Sequence, residues 1–303
     1  ALSDSFVEGT VLVAVQNVSD KTGNIISTEV LAFSINTEDL AIISSTPNEG
    51  AIVNSSSSNI IITFSTSVLE SANGAGVLNP ANYSFSGVGA NGISVQSVSG
   101  SGAGPYTLTS SSAFGNGQVI LDIDNVEDLG GKVITVSKTI SFEVDLLAPT
   151  IVTSNPVNGS VLGSMGSQIS LIFSELMVEN SISSNGVLNP ANYVFSGMGA
   201  QNVSIVSVTG SGSGPYAFVL SGSFEEGDVL LSLSNIEDLA GNPVLNQNIA
   251  FTLDQSGPIV SNVSPQGGSV LNNAVPSLKI TFNEIVNDSS ANIHGARNAS
   301  NYV

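Results

Sequence analysis

The sequence predicts an all-β protein: a string of two-sheet sandwiches of about seven short strands each, arranged as an extended rod. Three observations lead there. First, Phe64, Phe173 and Phe282 recur at an interval of 173 − 64, or 109, residues, in the related strings Ile-Thr-Phe-Ser-Thr, Leu-Ile-Phe-Ser-Glu and Ile-Thr-Phe-Asn-Glu. A period that long exceeds a solenoid coil and fits one small autonomous domain. Second, short alternating or apolar runs are separated by Gly, Pro, Asn and Ser turns. Third, no stretch carries a helical period.

The strands follow in order through the second complete repeat, near Thr150–Ser154, Gln168–Phe173, Asn192–Ser196, Val203–Val208, Tyr216–Ser221, Val229–Ile236 and Asn248–Leu253. Phe173, Tyr193, Phe195, Phe218, Leu231, Leu233 and Phe251 are the expected core. Pro156-Val-Asn-Gly and Pro265-Gln-Gly-Gly are turn chemistry after a first strand. The string at Gly76–Tyr83 returns intact at Gly186–Tyr193, and degraded at Asn298–Tyr302. Its Asn-Pro starts a turn and its Tyr opens a strand with the ring inward. Gly100–Gly104 and Gly210–Gly214 each precede Pro-Tyr between two strands. That context predicts hairpin connections rather than phosphate cradles.

Aligning Phe224-Glu-Glu-Gly-Asp-Val-Leu with Phe6-Val-Glu-Gly-Thr-Val-Leu sets the boundaries. Residues 1–43 read as the tail of one repeat, 44–147 and 148–256 as complete repeats, and 257–303 as the start of another. The two end fragments do not add up to a whole repeat. A window from a longer array is therefore expected, rather than a domain completed by swapping. Linkers Leu146–Pro149 and Gln255–Pro258 contain proline, which favours extended, stiff backbone.

Composition excludes several partners. Twenty-four acids against five bases give a net charge of −19, so neither nucleic acid nor an anionic membrane surface is expected. Charged residues are only 10% of the chain, and mean hydropathy is +0.32. Ser, Thr, Asn and Gly must cover the surface, which suits an extracellular or bacterial cell-surface setting. Without cysteine there are neither disulfides nor thiolate metal sites. No basic leader is visible at Ala1–Ser5, and Val11–Val15 is too short to span a membrane.

At the family level, Pro149-Thr-Ile-Val, Asn155-Pro-x-x-Gly, Phe173-Ser-Glu, Asp238-Leu-Ala-Gly-Asn242 and Phe251-x-x-Asp254 together resemble the bacterial immunoglobulin-like (Big-type) domains strung in tandem on surface proteins. The Asp-Leu-Ala-Gly-Asn string is weaker at Asp128-Leu-Gly-Gly-Lys132 and Asp20-Lys-Thr-Gly-Asn24. The resemblance covers the whole chain. It implies a sandwich fold and a surface role as spacer, stalk, adhesive module or appendage of a secreted enzyme.

Catalysis is not expected. The single histidine, His294, has no cysteine or second histidine to work with. Asp122 and Asp124 become Ser232 and Ser234 in the next repeat, so they read as a solvated strand face rather than a glycosidase pair. Asn17, Asn82, Asn158 and Asn202 head Asn-x-Ser triplets that a Ser-rich chain produces by chance.

The acidic loops carry the one expected site. In an immunoglobulin-type sandwich the B–C and F–G loops lie at the end receiving the linker, and the E–F loop lies at the other. Before the second complete repeat this gathers Asp145, Glu175, Glu237 and Asp238. After it, Asp254 and Glu284 are expected to meet Glu225, Glu226 and Asp228. Before the first, Glu38, Asp39, Glu70, Glu127 and Asp128 gather, with Glu8 opposite. Converging carboxylates repel unless a hard cation separates them, and Ca²⁺ takes six to eight oxygens. Junctional Ca²⁺ is therefore expected, although Asp124-Asn-Val-Glu-Asp lacks EF-hand spacing.

The expected function is a non-catalytic rod: a stalk, extender or filament segment whose partners are adjoining repeats or neighbouring copies. The alternatives are a self-assembling filament or surface-layer subunit, and an adhesin module binding surface glycans or host receptors. With no Trp and only five Tyr, an aromatic glycan platform has little to build on.

Overall fold

The computed structural model describes residues 6–134, 136–165, 168–245, 247–272 and 277–303. Ala1–Ser5, where no leader is visible, lie outside them. Two compact units emerge. One is Ala1–Thr150 with Glu175–Val178 and Ile236–Leu245; the other is Ile151–Ser174, Glu179–Asn235 and Asn246–Val303.

The first unit opens with an antiparallel pair, β1 (Gly9–Val15) and β2 (Glu29–Ile35). Eight further strands follow: β3 (Ile42–Thr46), β4 (Ile52–Val53), β5 (Asn59–Phe64), β6 (Tyr83–Ser86), β7 (Val95–Ser99), β8 (Tyr106–Ser110), β9 (Gly117–Ile123) and β10 (Lys138–Val144). They form two four-stranded sheets, ordered β3-β5-β8-β7 and β4-β10-β9-β6. In immunoglobulin lettering these are A-B-E-D and A′-G-F-C. Alternation decides what is inside: Ile60, Ile62 and Phe64 of β5 share one core with Val119, Leu121 and Ile123 of β9 and Ile140, Phe142 and Val144 of β10. Phe114 fills the layer between them, its ring edge-on to Phe85 and Phe142 at 5.2 and 5.8 Å.

The second unit repeats the plan with β11 (Ile151–Asn155), β12 (Ser160–Leu162), β13 (Ile169–Phe173), β14 (Tyr193–Ser196), β15 (Ser204–Thr209), β16 (Tyr216–Ser221), β17 (Gly227–Leu233) and β18 (Asn248–Leu253). Its sheets run β11-β13-β16-β15 and β12-β18-β17-β14. The antiparallel pair β19 (Val260–Ser264) and β20 (Lys279–Phe282) follows. All seven expected strands are present within a residue or three. The eighth, the short β12, pairs parallel to β18 and has too few residues to show a period. Phe173, Tyr193, Phe218, Leu231 and Phe251 are buried as expected. Phe195 and Leu233 are half-buried instead, because Phe195 lies on the outermost strand β14 and Leu233, opposite Tyr193, is the last residue of β17.

The repeated Asn-Pro-Ala-Asn-Tyr does what turn chemistry predicts. Asn79 and Asn189 cap 3-10 turns by accepting from Ala81 N and Ala191 N, with Pro next in line. Tyr83 and Tyr193 then open β6 and β14, buried, their hydroxyls donating to Val77 O and Val187 O at 2.7 and 2.6 Å. Asn82 is buried and donates to Gly74 O and Gly76 O, so it cannot carry a glycan.

The outer strands β3, β7, β11 and β15 each carry a register shift against their neighbour, whereas the outer strands β4, β6, β12 and β14 pair without one. Bulges twist a sheet edge away from flat pairing with another chain. Among the described residues, no helix is long and apolar enough to cross a membrane.

Candidate metal centre

The site begins with a turn. Asp20, Asp128 and Asp238 each open the loop that joins the strands of a repeat lettered F and G. Each carboxylate accepts the backbone N–H four residues on: Asn24 at 2.9 Å, Lys132 at 2.9 Å and Asn242 at 2.8 Å. Asp20 and Asp128 also accept the N–H two residues on, from Thr22 and Gly130 at 2.9 and 2.8 Å. Such turns suit Asp because its short side chain reaches its own backbone. Bonds from Asn24 and Thr22 hold the exposed Asp20 carboxyl far below the usual carboxylate range. Its contribution to stability is present above the unfolded-state pKa and lost only in strong acid.

In the Asp238 turn more is added. Asp238 is 1% exposed, and Asn242 Nδ2 donates both to Asp238 Oδ2 and to the main-chain oxygen of Asp145, each at 2.9 Å. The turn thus grips the linker. Asn54 Nδ2 also donates to Gly241 O at 2.9 Å. Asp145 stays in place because its N–H bonds Val53 O at 2.9 Å while its Oδ1 accepts Leu147 N at 3.1 Å. Glu175 arrives two residues after β13 ends, in a stretch held by Val178 N donating to Glu237 O at 3.0 Å.

The result is a group of three acids, Asp145, Glu175 and Asp238, each offering an oxygen within 4.8 Å of the others. All three belong to the first unit. Burial first, and then the charges of Asp145 and Asp238, push the Glu175 carboxyl up to about 7, and it hydrogen-bonds with both. Three acids this close either share a proton or accept a cation. Their oxygens are the hard ligands that Ca²⁺ and Mg²⁺ prefer.

Among the described residues this is the one group of three His, Cys, Asp or Glu side chains close enough to share an ion. Of the eight expected ligands, the fold therefore unites three. Glu237 instead contributes its carbonyl to the loop. Asp254 accepts Ser256 N at 3.3 Å, and Glu284 joins no such group. Local partners engage the acids expected beside them: Glu226 takes Ser256 Oγ at 2.7 Å, Asp228 takes Thr252 Oγ1 at 2.7 Å, and Glu225 takes Asn202 Nδ2 at 2.7 Å.

Before the first complete repeat the expected cluster of Glu38, Asp39, Glu70, Glu127 and Asp128 is not assembled either. Asp128 is committed to its turn. Glu70 accepts Gly102 N at 2.6 Å, and Glu179 likewise accepts Gly212 N, so these acids tie down the Gly-rich hairpins. Those hairpins do connect paired strands. By the 109- to 110-residue alignment, Asn36, Thr66 and Asp128 stand where Asp145, Glu175 and Asp238 stand. This repeat has one acid where the next has three.

The remaining catalytic suspects stay ordinary. His294 is exposed in a loop, and Asp122 accepts Thr139 Oγ1 at 2.9 Å on a strand face. No protein-family profile matches the chain, and no curated protein matches it.

Solved structures do align with it. FdeC, an Escherichia coli adhesin, does so with 13% identity and a TM-score of 0.38, over 82% of this chain and 85% of that one. The N-terminal part of the bacterial S-layer protein SbsC aligns with 14% identity and a TM-score of 0.27, over 72% of this chain and 44% of that one. Domains 1–6 of the surface layer protein SbsC align with 10% identity and a TM-score of 0.27, over 75% and 42%. The chain thus spans less than half of each S-layer structure.

Proposed function

We propose that the chain is a non-catalytic structural segment of a bacterial cell-surface or extracellular protein: a stalk, extender or filament built from immunoglobulin-like repeats. Its boundaries are those of the repeat alignment, 44–147 and 148–256 for the complete repeats. One divalent cation, Ca²⁺ by its ligand chemistry, sits between Asp145, Glu175 and Asp238. The observation that carries this reading is that a linker acid and two loop acids bring oxygens within 4.8 Å of one another at a turn already gripping the linker. A cation there fastens linker to loop and removes the mutual repulsion of the acids. A chain with net charge −19 gathers cations in any case.

A self-assembling lattice is the second reading; the bulges on β3, β7, β11 and β15 speak against pairing through those edges, which leaves the regular edges β6 and β14 as its route. A glycan-binding module lacks its platform: there is no Trp, and Tyr83, Tyr106, Tyr193 and Tyr216 are buried.

Small-angle scattering tests the mechanical claim. In Ca²⁺ the profile is expected to be that of a stiffer particle than in EDTA. Superimposable profiles count against cation stiffening.

A further inference from the structure

We infer that Lys132 is a built-in latch, a side-chain ammonium that fastens the incoming segment of the first complete repeat without any metal. The fifth residue of the turn is Asn24, Lys132 or Asn242 in successive repeats. Asn24 and Asn242 bond back to their own aspartate at 2.8 and 2.9 Å. Lys132 is too long for that bond and spends its donors elsewhere. Its Nζ donates to Thr37 O and to Glu38 O, the latter at 2.9 Å, and lies 3.5 Å from Asp39 Oδ1.

Every partner lies in the stretch joining β2 to β3, more than ninety residues away in sequence. Asn242 does the matching job in the next repeat, through a single neutral amide bond to Asp145 O. The shared task is holding the linker to the turn, and only at Lys132 does a charge perform it.

The anchor is the pair of carbonyls rather than the ion pair. Asp39 is 99% exposed and its contact is long, and pairs of that kind contribute little. Bonds from a charged donor to a carbonyl are the stronger ones. Two neighbouring amides report on the segment: Glu38 N, bonded to Asn36 Oδ1, and Ala41 N, bonded to Ser65 Oγ. No acid triad stands here, so the latch closes with or without divalent cation, independently of the cation reading.

The test is hydrogen exchange on the full chain, comparing wild type with Lys132→Met and Asp39→Asn. Met keeps the length of the aliphatic stem and removes the ammonium, whereas Asn would bring back an amide of the kind that holds the linker at Asn242. Amides of Glu38–Ala41 are expected to exchange about tenfold faster in Lys132→Met, a factor worth about 1.4 kcal/mol. Those of β8 and β9 should keep their protection. Asp39→Asn should leave the segment at the wild-type rate, as should EDTA added to wild type. The latch is overturned if Lys132→Met leaves Glu38–Ala41 at the wild-type rate, or speeds β8 and β9 equally. It is overturned as well if Asp39→Asn matches Lys132→Met, or if chelation alone loosens the segment.

Discussion

Glu175→Gln is expected to reverse its effect on stability according to whether Ca²⁺ is present. In EDTA the wild-type chain holds three acids within 4.8 Å, and their repulsion together with burial raises the Glu175 carboxyl to about 7. The sign follows from linkage. A carboxyl whose folded-state pKa lies above its unfolded value binds its proton more tightly when folded. Metal-free wild type should therefore gain stability as pH falls from about 7 towards the unfolded value, and carry the full penalty above 7. Glu175 is only half-buried, so solvent screens much of that penalty and about 1 kcal/mol is the expected size. Gln removes the charge and keeps the shape, so in EDTA at pH 8 the variant should be the more stable protein, and it should lack the gain that wild type makes as pH falls below 7.

With Ca²⁺ at a hundredfold excess over its dissociation constant, wild type gains about 2.7 kcal/mol by mass action. Glu175→Gln, short of one charged ligand, should lose most of that gain and become the less stable of the two. Paired melts in Ca²⁺ and EDTA show whether the order changes. If Glu175→Gln is more stable in both buffers, the triad holds a proton and no metal.

Asp128→Ala should destabilise the first complete repeat by about 1–2 kcal/mol, with or without metal, because two backbone donors lose their acceptor in a partly buried turn. Asp128 is 3% exposed and accepts Gly130 N and Lys132 N through the same oxygen. Without it the turn cannot present Lys132 to Thr37 and Glu38, so the latch should open as well. Asp128→Asn retains an acceptor oxygen and should cost less than half as much. Calorimetry resolves the question if the repeats melt separately: the transition of the first should move and that of the second should not. An Asp128→Ala protein that melts like wild type would show that the recurrent aspartate serves something other than its turn.

The fold was largely legible because period-2 burial and turn residues act locally. Tyr216–Ser221 and Asn248–Leu253 can be read to the residue, since their apolar positions alternate between hard turn signals. The short strand Ser160–Leu162 was not legible, because its pairing with β18 is fixed by tertiary contact and leaves no pattern in three residues. At the site, topology alone brought Asp145, Glu175 and Asp238 to one end of a sandwich. It could not say which acids were already committed. Glu70 and Glu179 are held by the backbone of Gly-rich hairpins, and Glu226 and Asp228 by hydroxyls, bonds that depend on distances of a few ångströms. One signal was available in the sequence: the fifth turn residue changes from Asn to Lys at the one repeat start that lacks the acidic pair, where Asn36 and Thr66 stand in place of Asp145 and Glu175.

Isothermal calorimetry of Ca²⁺ into the metal-stripped chain at pH 7.5 tests the account most directly. It predicts one site per chain, released protons reporting the ionisation of Glu175, and no such binding to the Asp145→Asn, Glu175→Gln double variant. Absence of binding heat in wild type, or an equal isotherm from the double variant, contradicts it.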